Sequence, residues 1–223
     1  MIPRIIHQTY STTSLPDHFL QYSSLLRVIH PTWEHRLYDD KACTQLVKQS
    51  FPELIEIYDA VPYNIMRADI FRILAVYLYG GFYFDLDVYF HKPIDELITY
   101  KSVFAKELIL NEQDLALNPD HHPIRIANYG FGSEPGNPFF LTIIQDWLLN
   151  KGKLLNIKSE NDILEMTGPG MLTRLYHSYF ANRTSELLLL DLGSHICPRC
   201  NHHQCQFGDF ASHLHLGTWR WKK

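Results

Sequence analysis

Two carboxylates one residue apart, Asp85 and Asp87, close a stretch of chain, residues 63–90, that is otherwise almost wholly apolar. Burying charge is costly unless the charge is paired or put to use, so the few ionic groups here mark where chemistry is to be expected. In extended chain, residues two apart point to the same side, which brings both carboxylates together while Leu86 faces the core. Two converging carboxylates repel each other unless a cation sits between them or one is protonated. Mg2+ or Mn2+ is the natural resident, because either uses few protein oxygens and leaves positions open for substrate phosphates. A bare D-x-D is a frequent chance match, equally compatible with a solvated turn or with helix-capping acids. The surroundings make this one specific.

Those surroundings begin with a helix over residues 65–79, apolar on nearly every face and interrupted only by Arg67, Asp69 and Arg72. Asp69 and Arg72 are i,i+3 neighbours. On a solvated helix such a pair contributes a few tenths of a kcal/mol; in so apolar a helix it needs a polar cavity to line. Arg67 either serves the same cavity or caps the outer surface. Gly80 and Gly81 stop the helix, and Phe82-Tyr83-Phe84 reads as a buried strand leading into the carboxylates.

Other elements must support that strand. Residues 4–9 and 34–38 read as strands, joined by a helix over 17–29 that opens at Pro16-Asp17. Asp39 and Asp40 open a helix through about residue 48, and residues 51–58 form another, with Pro52 in its first turn. Further on, 102–106 reads as a strand, 137–150 as a helix and 186–192 as a buried strand with four consecutive leucines. Residues 106–126 are the loosest stretch, with 118–123 an irregular loop. The alternation predicts an α/β fold over one domain, 1–223, with 195–223 as a Cys/His cluster and tail. Ligands of such sheets lie outside the carboxyl ends of the strands, which puts Thr9, Tyr10, Asp39, Asp85 and Asp87 along one rim. His7 is read as a core histidine bonded to backbone or as a neighbour of nucleotide contacts, without assignment.

With 223 residues, 46% of them hydrophobic, the chain can bury a substantial core. A net charge of −4 and the absence of any Lys/Arg run argue against a nucleic-acid polymer as partner. The longest uncharged apolar run, residues 73–84, is too short to span a bilayer and is split by two glycines. No secretory leader is visible at the start, and Cys43 plus the cluster Cys197, Cys200 and Cys205 is no disulfide scaffold, so a cytoplasmic protein is expected, peripheral to the inner membrane face if its acceptor is lipid-linked.

The ordered set Ile2-Pro3-Arg4-Ile5-Ile6-His7-Gln8-Thr9, His30-Pro31-Thr32-Trp33 through Asp39-Asp40, Arg67-Ala68-Asp69 through Asp87, Asn128, Thr167-Gly168-Pro169 and His213-Leu214-His215-Leu216-Gly217-Thr218-Trp219 resembles the glycosyltransferases with a D-x-D sugar-binding region. These include yeast initiating mannosyltransferases, bacterial capsule and lipopolysaccharide transferases and, more distantly, clostridial glucosylating toxins. Tyr10 stands where the family usually has Trp. The resemblance implies a GT-A-type α/β fold with a mostly parallel central sheet, and a metal-dependent, retaining transfer of a hexose from a nucleoside diphosphate sugar, UDP-sugar before GDP-mannose, to a glycan hydroxyl in bacterial surface polysaccharide synthesis. Asp69 and Arg72 would then meet the donor sugar and phosphate, and Thr9, Tyr10, Asp39, Asp85, Asn128, Thr218 and Trp219 would complete donor binding. Asp85, Asp87 and His213 would hold Mn2+ or Mg2+, with His215 in reserve.

Cys197, Cys200 and Cys205 with His202 or His203, or a more distant His195, have the composition of a structural Zn2+ knuckle, and free buried thiols or an oxidisable pair are the other readings. The rival functions are a zinc-knuckle interaction protein, in which D-x-D is structural, and a nucleotide-sugar hydrolase. A double-displacement transferase would need a carboxylate on the far face of the sugar, for which Glu112 and Asp114 are the available acids.

Overall fold

The computed structural model describes residues 1–117, 122–181, 183, 187–197, 201 and 203–217. The strand–helix–strand unit opens it as β1 (Ile5–Thr9), α1 (Asp17–Ile29) and β2 (Glu34–Tyr38), with β1 and β2 parallel. Next come α2 (Asp40–Ser50), a 3-10 turn at Pro52–Leu54 that runs into α3 (Ile55–Ala60), and α4 (Asn64–Tyr79), the charged apolar helix. The chain continues through β3 (Gly81–Phe84), β4 (Val88–Phe90), β5 (Ser102–Ile109), α5 (Glu112–Leu117), β6 (Ile124–Ile126) and β7 (Gly130–Ser133). Helices α6 (Pro138–Leu149), α7 (Lys151–Leu154), α8 (Glu160–Met166) and α9 (Pro169–Phe180) precede β8 (Leu188–Leu190), β9 (Gln206–Phe207) and β10 (Ala211–His213).

The central sheet has the order β2-β1-β3-β7-β5-β6, with β8 also paired to β5. β2, β1, β3, β5 and β8 run one way, and β7 and β6 oppose them. The sheet is therefore mostly parallel, as expected. A second sheet, β4-β10-β9, lies beside it.

Alternation along β3 explains its all-aromatic sequence. Phe82 and Phe84 join a cluster with Trp33, Phe90 and Phe207, whereas Tyr83 joins α4, α6 and α9 around Phe104, Phe131 and Phe139. β3 can carry three rings because its neighbour carries glycines: Phe82 pairs with Gly132 and Phe84 with Gly130, and a Cβ at Gly132 would stand 2.4 Å from the Phe82 ring. The α4–β3 junction needs its diglycine for a related reason. Gly81 has φ +91°, and a Cβ there would lie 2.5 Å from the Ile5 carbonyl.

Two expectations need correction. Residues 106–126 are not a loose loop: β5 runs to Ile109, and α5 and β6 follow, because the polar residues there sit on an edge hairpin whose pairing partner cannot be read locally; 118–121 lie outside the described residues. The leucine run is only half-buried, since β8 branches off β5 beside the main sheet path.

Candidate active site

Asp85 and Asp87 lie in the turn between β3 and β4, where the Val88 amide donates to the Asp85 carbonyl at 3.3 Å. Their convergence thus comes from a turn, not from the pleat of an extended strand, which ends at Phe84. Pairing of β10 with β4 sets His213 opposite Val88 and brings its imidazole to the same place. The three side chains each offer a ligand atom within 4.8 Å of the others, the one such group of metal-binding side chains among the described residues. His213 Nε2 is 3.3 Å from Asp87 Oδ1. Asp87 also fastens the tail: its carbonyl accepts from the Leu214 amide and its Oδ2 from the Leu216 amide, at 2.9 and 2.8 Å.

Arg72 is the hub of the buried wall. Its Nη2 lies 3.2 Å from Asp69 Oδ1 and 3.3 Å from Asp85 Oδ1. Its Nη1 donates to the carbonyl and the side-chain oxygen of Asn128 at 2.6 and 2.8 Å. Asn128 Nδ2 and Thr167 Oγ1 in turn donate to the two oxygens of Asp69, and Tyr83 Oη donates to Asp85. Asn128 and Thr167 therefore shape the site by holding Asp69. Arg67 bonds the Val61 carbonyl and Asn64 on the outer side, which is the capping alternative.

These partners set the electrostatics. Burial pushes Asp69 up to about 6 against the pull of Arg72, Thr167 and Asn128. Burial likewise raises Asp85, with Arg72 opposing and Asp87 adding to the shift. Asp87 goes the other way, because the His213 contact and the Leu216 amide outweigh its burial, and His213 rises correspondingly through Asp87 despite being buried. Arg72 is held above its ordinary value because Asp85, Tyr83, Asp69 and Asp87 outweigh the opposing effect of burial. Two carboxylates and an imidazole at this spacing fit Mn2+, and Mg2+ less well because imidazole is a softer ligand than it prefers. His213 Nδ1 is buried without a hydrogen bond, and the ring is oriented by Asp87, by stacking on Tyr129 at 4.3 Å and by a tilted contact with His215 at 4.2 Å.

All of this opens on a cavity of about 360 Å3, within the range of small-molecule sites. Thr9, Tyr10, Asp69, Arg72, Asp85, Asp87, Asn128, His213 and His215 line it. Tyr10 packs edge-on to Phe19 at its mouth, 5.7 Å between centroids. Two further cavities of comparable volume, one lined by Lys92, Asp191 and Phe210 and one by Tyr176 and Leu189, include none of these residues. Asp39 is not on the cavity wall; it caps α2, accepting from the Ala42 amide at 2.7 Å.

Thr218, Trp219, Cys200 and His202 lie outside the described residues. Of the rest of the Cys/His set, Cys197 and Cys205 are buried, His203 is exposed, and Cys197 Sγ donates to the His213 carbonyl at 3.4 Å, behind the tail strand. Sequence reasoning missed Glu107 and Arg125, which line the cavity as an ion pair 2.8 Å apart. The only local signal was two charged residues in apolar strand patterns.

His7 is the core histidine of the plainer reading. Its Nε2 bonds the Gly80 carbonyl at 2.8 Å and its Nδ1 the Tyr38 hydroxyl at 3.1 Å, tying β1, β2 and the end of α4 together. Burial takes it down to about 4, against the Gly80 bond. Because the unfolded chain binds the proton at about 6.5, this residue's contribution to stability is present above that pH and is lost as pH falls toward 4. The expected result is a His7 ring resonance that stays in its neutral position from pH 8 to pH 5; titration near pH 6.5 in the folded chain would contradict the burial.

Residues 16–104, the segment that contains α4 and the D-x-D turn, match the family described as glycosyltransferase sugar-binding region containing DXD motif. Over that segment the chain is similar to the D-x-D glycosyltransferases. Inositol phosphoceramide mannosyltransferase 2 of Schizosaccharomyces pombe is 30% identical over 179 residues, covering 80% of this chain and 47% of the relative. Inositol phosphoceramide mannosyltransferase 3 of the same yeast is 31% identical over 145 residues, 65% of this chain and 37% of the relative. The initiation-specific alpha-1,6-mannosyltransferase of Candida albicans is 27% identical over 208 residues, 81% of this chain and 54% of the relative. The chain thus spans less than half the length of the two fission-yeast relatives. These three are fungal mannosyltransferases, not bacterial polysaccharide enzymes.

The fold is that of glycosyltransferase domains. PaToxG glycosyltransferase superposes with a TM-score of 0.59 at 15% identity, over 81% of this chain and 70% of that one. The ligand-free glycosyltransferase domain of the YGT toxin gives 0.58 at 10% identity, over 84% and 80%. The GT-A-type architecture expected of the sugar-binding region is the one the chain has.

Proposed function

We propose that the chain transfers a hexose from a nucleoside diphosphate sugar to a hydroxyl of a glycan or glycolipid. The convergence of Asp85, Asp87 and His213 on a cavity walled by the Asp69–Arg72 pair carries this reading. The names of the fungal relatives move the preferred donor from a UDP-sugar to GDP-mannose, and those of the fission-yeast relatives favour a lipid-linked acceptor met at a membrane surface. Asp85, Asp87 and His213 would hold Mn2+ or Mg2+, and such an ion would supply Lewis-acid stabilisation of the departing diphosphate. Tyr10, with Phe19 behind it, offers an aromatic face to the base.

Asp69, held by Thr167, Asn128 and Arg72, presents a fixed acceptor to the sugar hydroxyls, and Arg72 puts a permanent positive charge beside the diphosphate position. In the transfer, the bond from the anomeric carbon to the diphosphate oxygen breaks, the acceptor oxygen bonds to that carbon, and the acceptor proton leaves to the diphosphate. Attack on the face of the leaving group accounts for retention without a nucleophilic carboxylate.

Calorimetry with GDP and UDP tests the reading. Binding of one of them in Mn2+ should weaken at least tenfold in excess chelator, because diphosphate and two carboxylates repel without a cation. Full-affinity binding in chelator, or no binding of either, would count against it.

A further inference from the structure

The cavity has a second polar wall that the donor-binding reading leaves unused, on β5 and β6. Its origin is a β-bulge: Lys106 pairs with Ile126 and Leu108 with Arg125, so Glu107 is the extra residue opposite none. Bulges re-aim side chains, and this one turns Glu107 onto the cavity wall with Arg125 beside it. The pair is poised for a ligand. Glu107 Oε2 and Arg125 Nε stand 2.8 Å apart, yet neither makes a well-aligned hydrogen bond, and the neighbouring Tyr129 hydroxyl is buried without one. Their side chains are 16% and 32% exposed, open to the cavity without being bathed in solvent.

The sheet order fixes where this wall stands relative to the rest of the site. Across β1, β3, β7 and β5 the rim presents Tyr10, then Asp85, then Asn128 and Tyr129, then Glu107, with Arg125 of β6 beside Glu107. β5 lies two strand spacings from β3, roughly 10 Å. A donor with its base at Tyr10 and its diphosphate at Asp85 directs its sugar along the rim toward β5. What meets Glu107 and Arg125 is then the group arriving at the anomeric carbon.

We propose that Glu107 and Arg125 form an acceptor subsite for vicinal hydroxyls of a neutral sugar or cyclitol, Glu107 accepting from one hydroxyl and Arg125 donating to its neighbour. This rests on the donor-binding reading above. The pair's charges cancel, so it favours a polyol over an anionic group, and its two functions, acceptor and donor side by side, match a diol. Glu107 acts as a positioning residue that holds the hydroxyl without taking its proton.

Steady-state kinetics decides it, using whichever of GDP-mannose and UDP-glucose the wild type turns over, with methyl α-mannoside, methyl α-glucoside and myo-inositol as acceptors. Glu107→Gln should raise the acceptor KM about tenfold or more and leave the calorimetric Kd for the nucleoside diphosphate within about twofold. The double variant Glu107→Gln/Arg125→Gln, which leaves no unpaired buried charge, should show the same split if the single variant folds poorly. An unchanged acceptor KM in a folded variant, or equal weakening of nucleoside diphosphate binding, overturns the subsite. Wild-type transfer to none of the three acceptors overturns its assignment to neutral polyols. A wild type that binds no nucleoside diphosphate takes down the donor reading, and the subsite with it; normal donor binding with any of the other failures leaves the donor reading standing.

Discussion

Asp85→Asn should lower transfer by about a thousandfold while the melting temperature moves by only a few degrees. The substitution keeps the shape of the side chain and its capacity to accept from Tyr83 Oη. Arg72 retains Asp69 and Asn128 as partners, so no buried charge is left alone. What is lost is one of the two negative charges that converge with His213, and with it the hold on the cation that the proposed transfer uses. Asp87→Asn makes a useful contrast, because Asp87 also holds the Leu216 amide through Oδ2. It should lose transfer comparably and in addition speed protease cleavage of the tail. Transfer within tenfold of wild type for Asp85→Asn, measured in saturating Mn2+ and donor, would remove the D-x-D turn from the mechanism.

The second large effect is structural as much as chemical. Arg72→Met replaces a buried guanidinium flanked by Asp69 and Asp85 with an apolar chain of similar reach. Two carboxylates in an apolar wall then lack their cation, a situation that typically costs about 3–5 kcal/mol. For a chain of this length each kcal/mol corresponds to about 2–4 °C, so the melting temperature should fall by roughly 10 °C. The double variant Asp69→Asn/Arg72→Met should recover part of that loss without recovering transfer, since it removes one of the two uncompensated charges but not the need for a polar contact to the donor. Denaturant melts of the two variants separate the stability role from the chemical one: equal stability of wild type and Arg72→Met would mean that water, not Asp69 and Asp85, neutralises the guanidinium.

Much of this arrangement could be read along the chain. The helix of α4, its glycine stop, the aromatic strand β3 and the carboxylates after it are local patterns, governed by periodicity and by glycine's access to positive φ, which Gly80 and Gly81 use. That Asp69 and Arg72 would meet on one face follows from helical spacing, and that they would need a polar cavity follows from the cost of burying charge in so apolar a helix. The role of Asp39 as opener of α2 was equally local, but its helix turns it away from the cavity, an orientation no spacing rule conveys.

The remainder depended on pairings between distant segments. His213 reaches Asp87 because β10 adds to β4, and a three-residue strand near the chain end carries no local mark of its partner. Asn128 and Thr167 become supports for Asp69 only once β7 and the α8–α9 corner close on α4. Glu107 enters the cavity through a bulge whose existence is a property of two strands together. Residue types and short-range spacing determined which groups could bind a cation, a phosphate or a sugar; tertiary structure decided which of them share a cavity, because strand register and helix docking are set by packing summed over the whole core and not by any one segment.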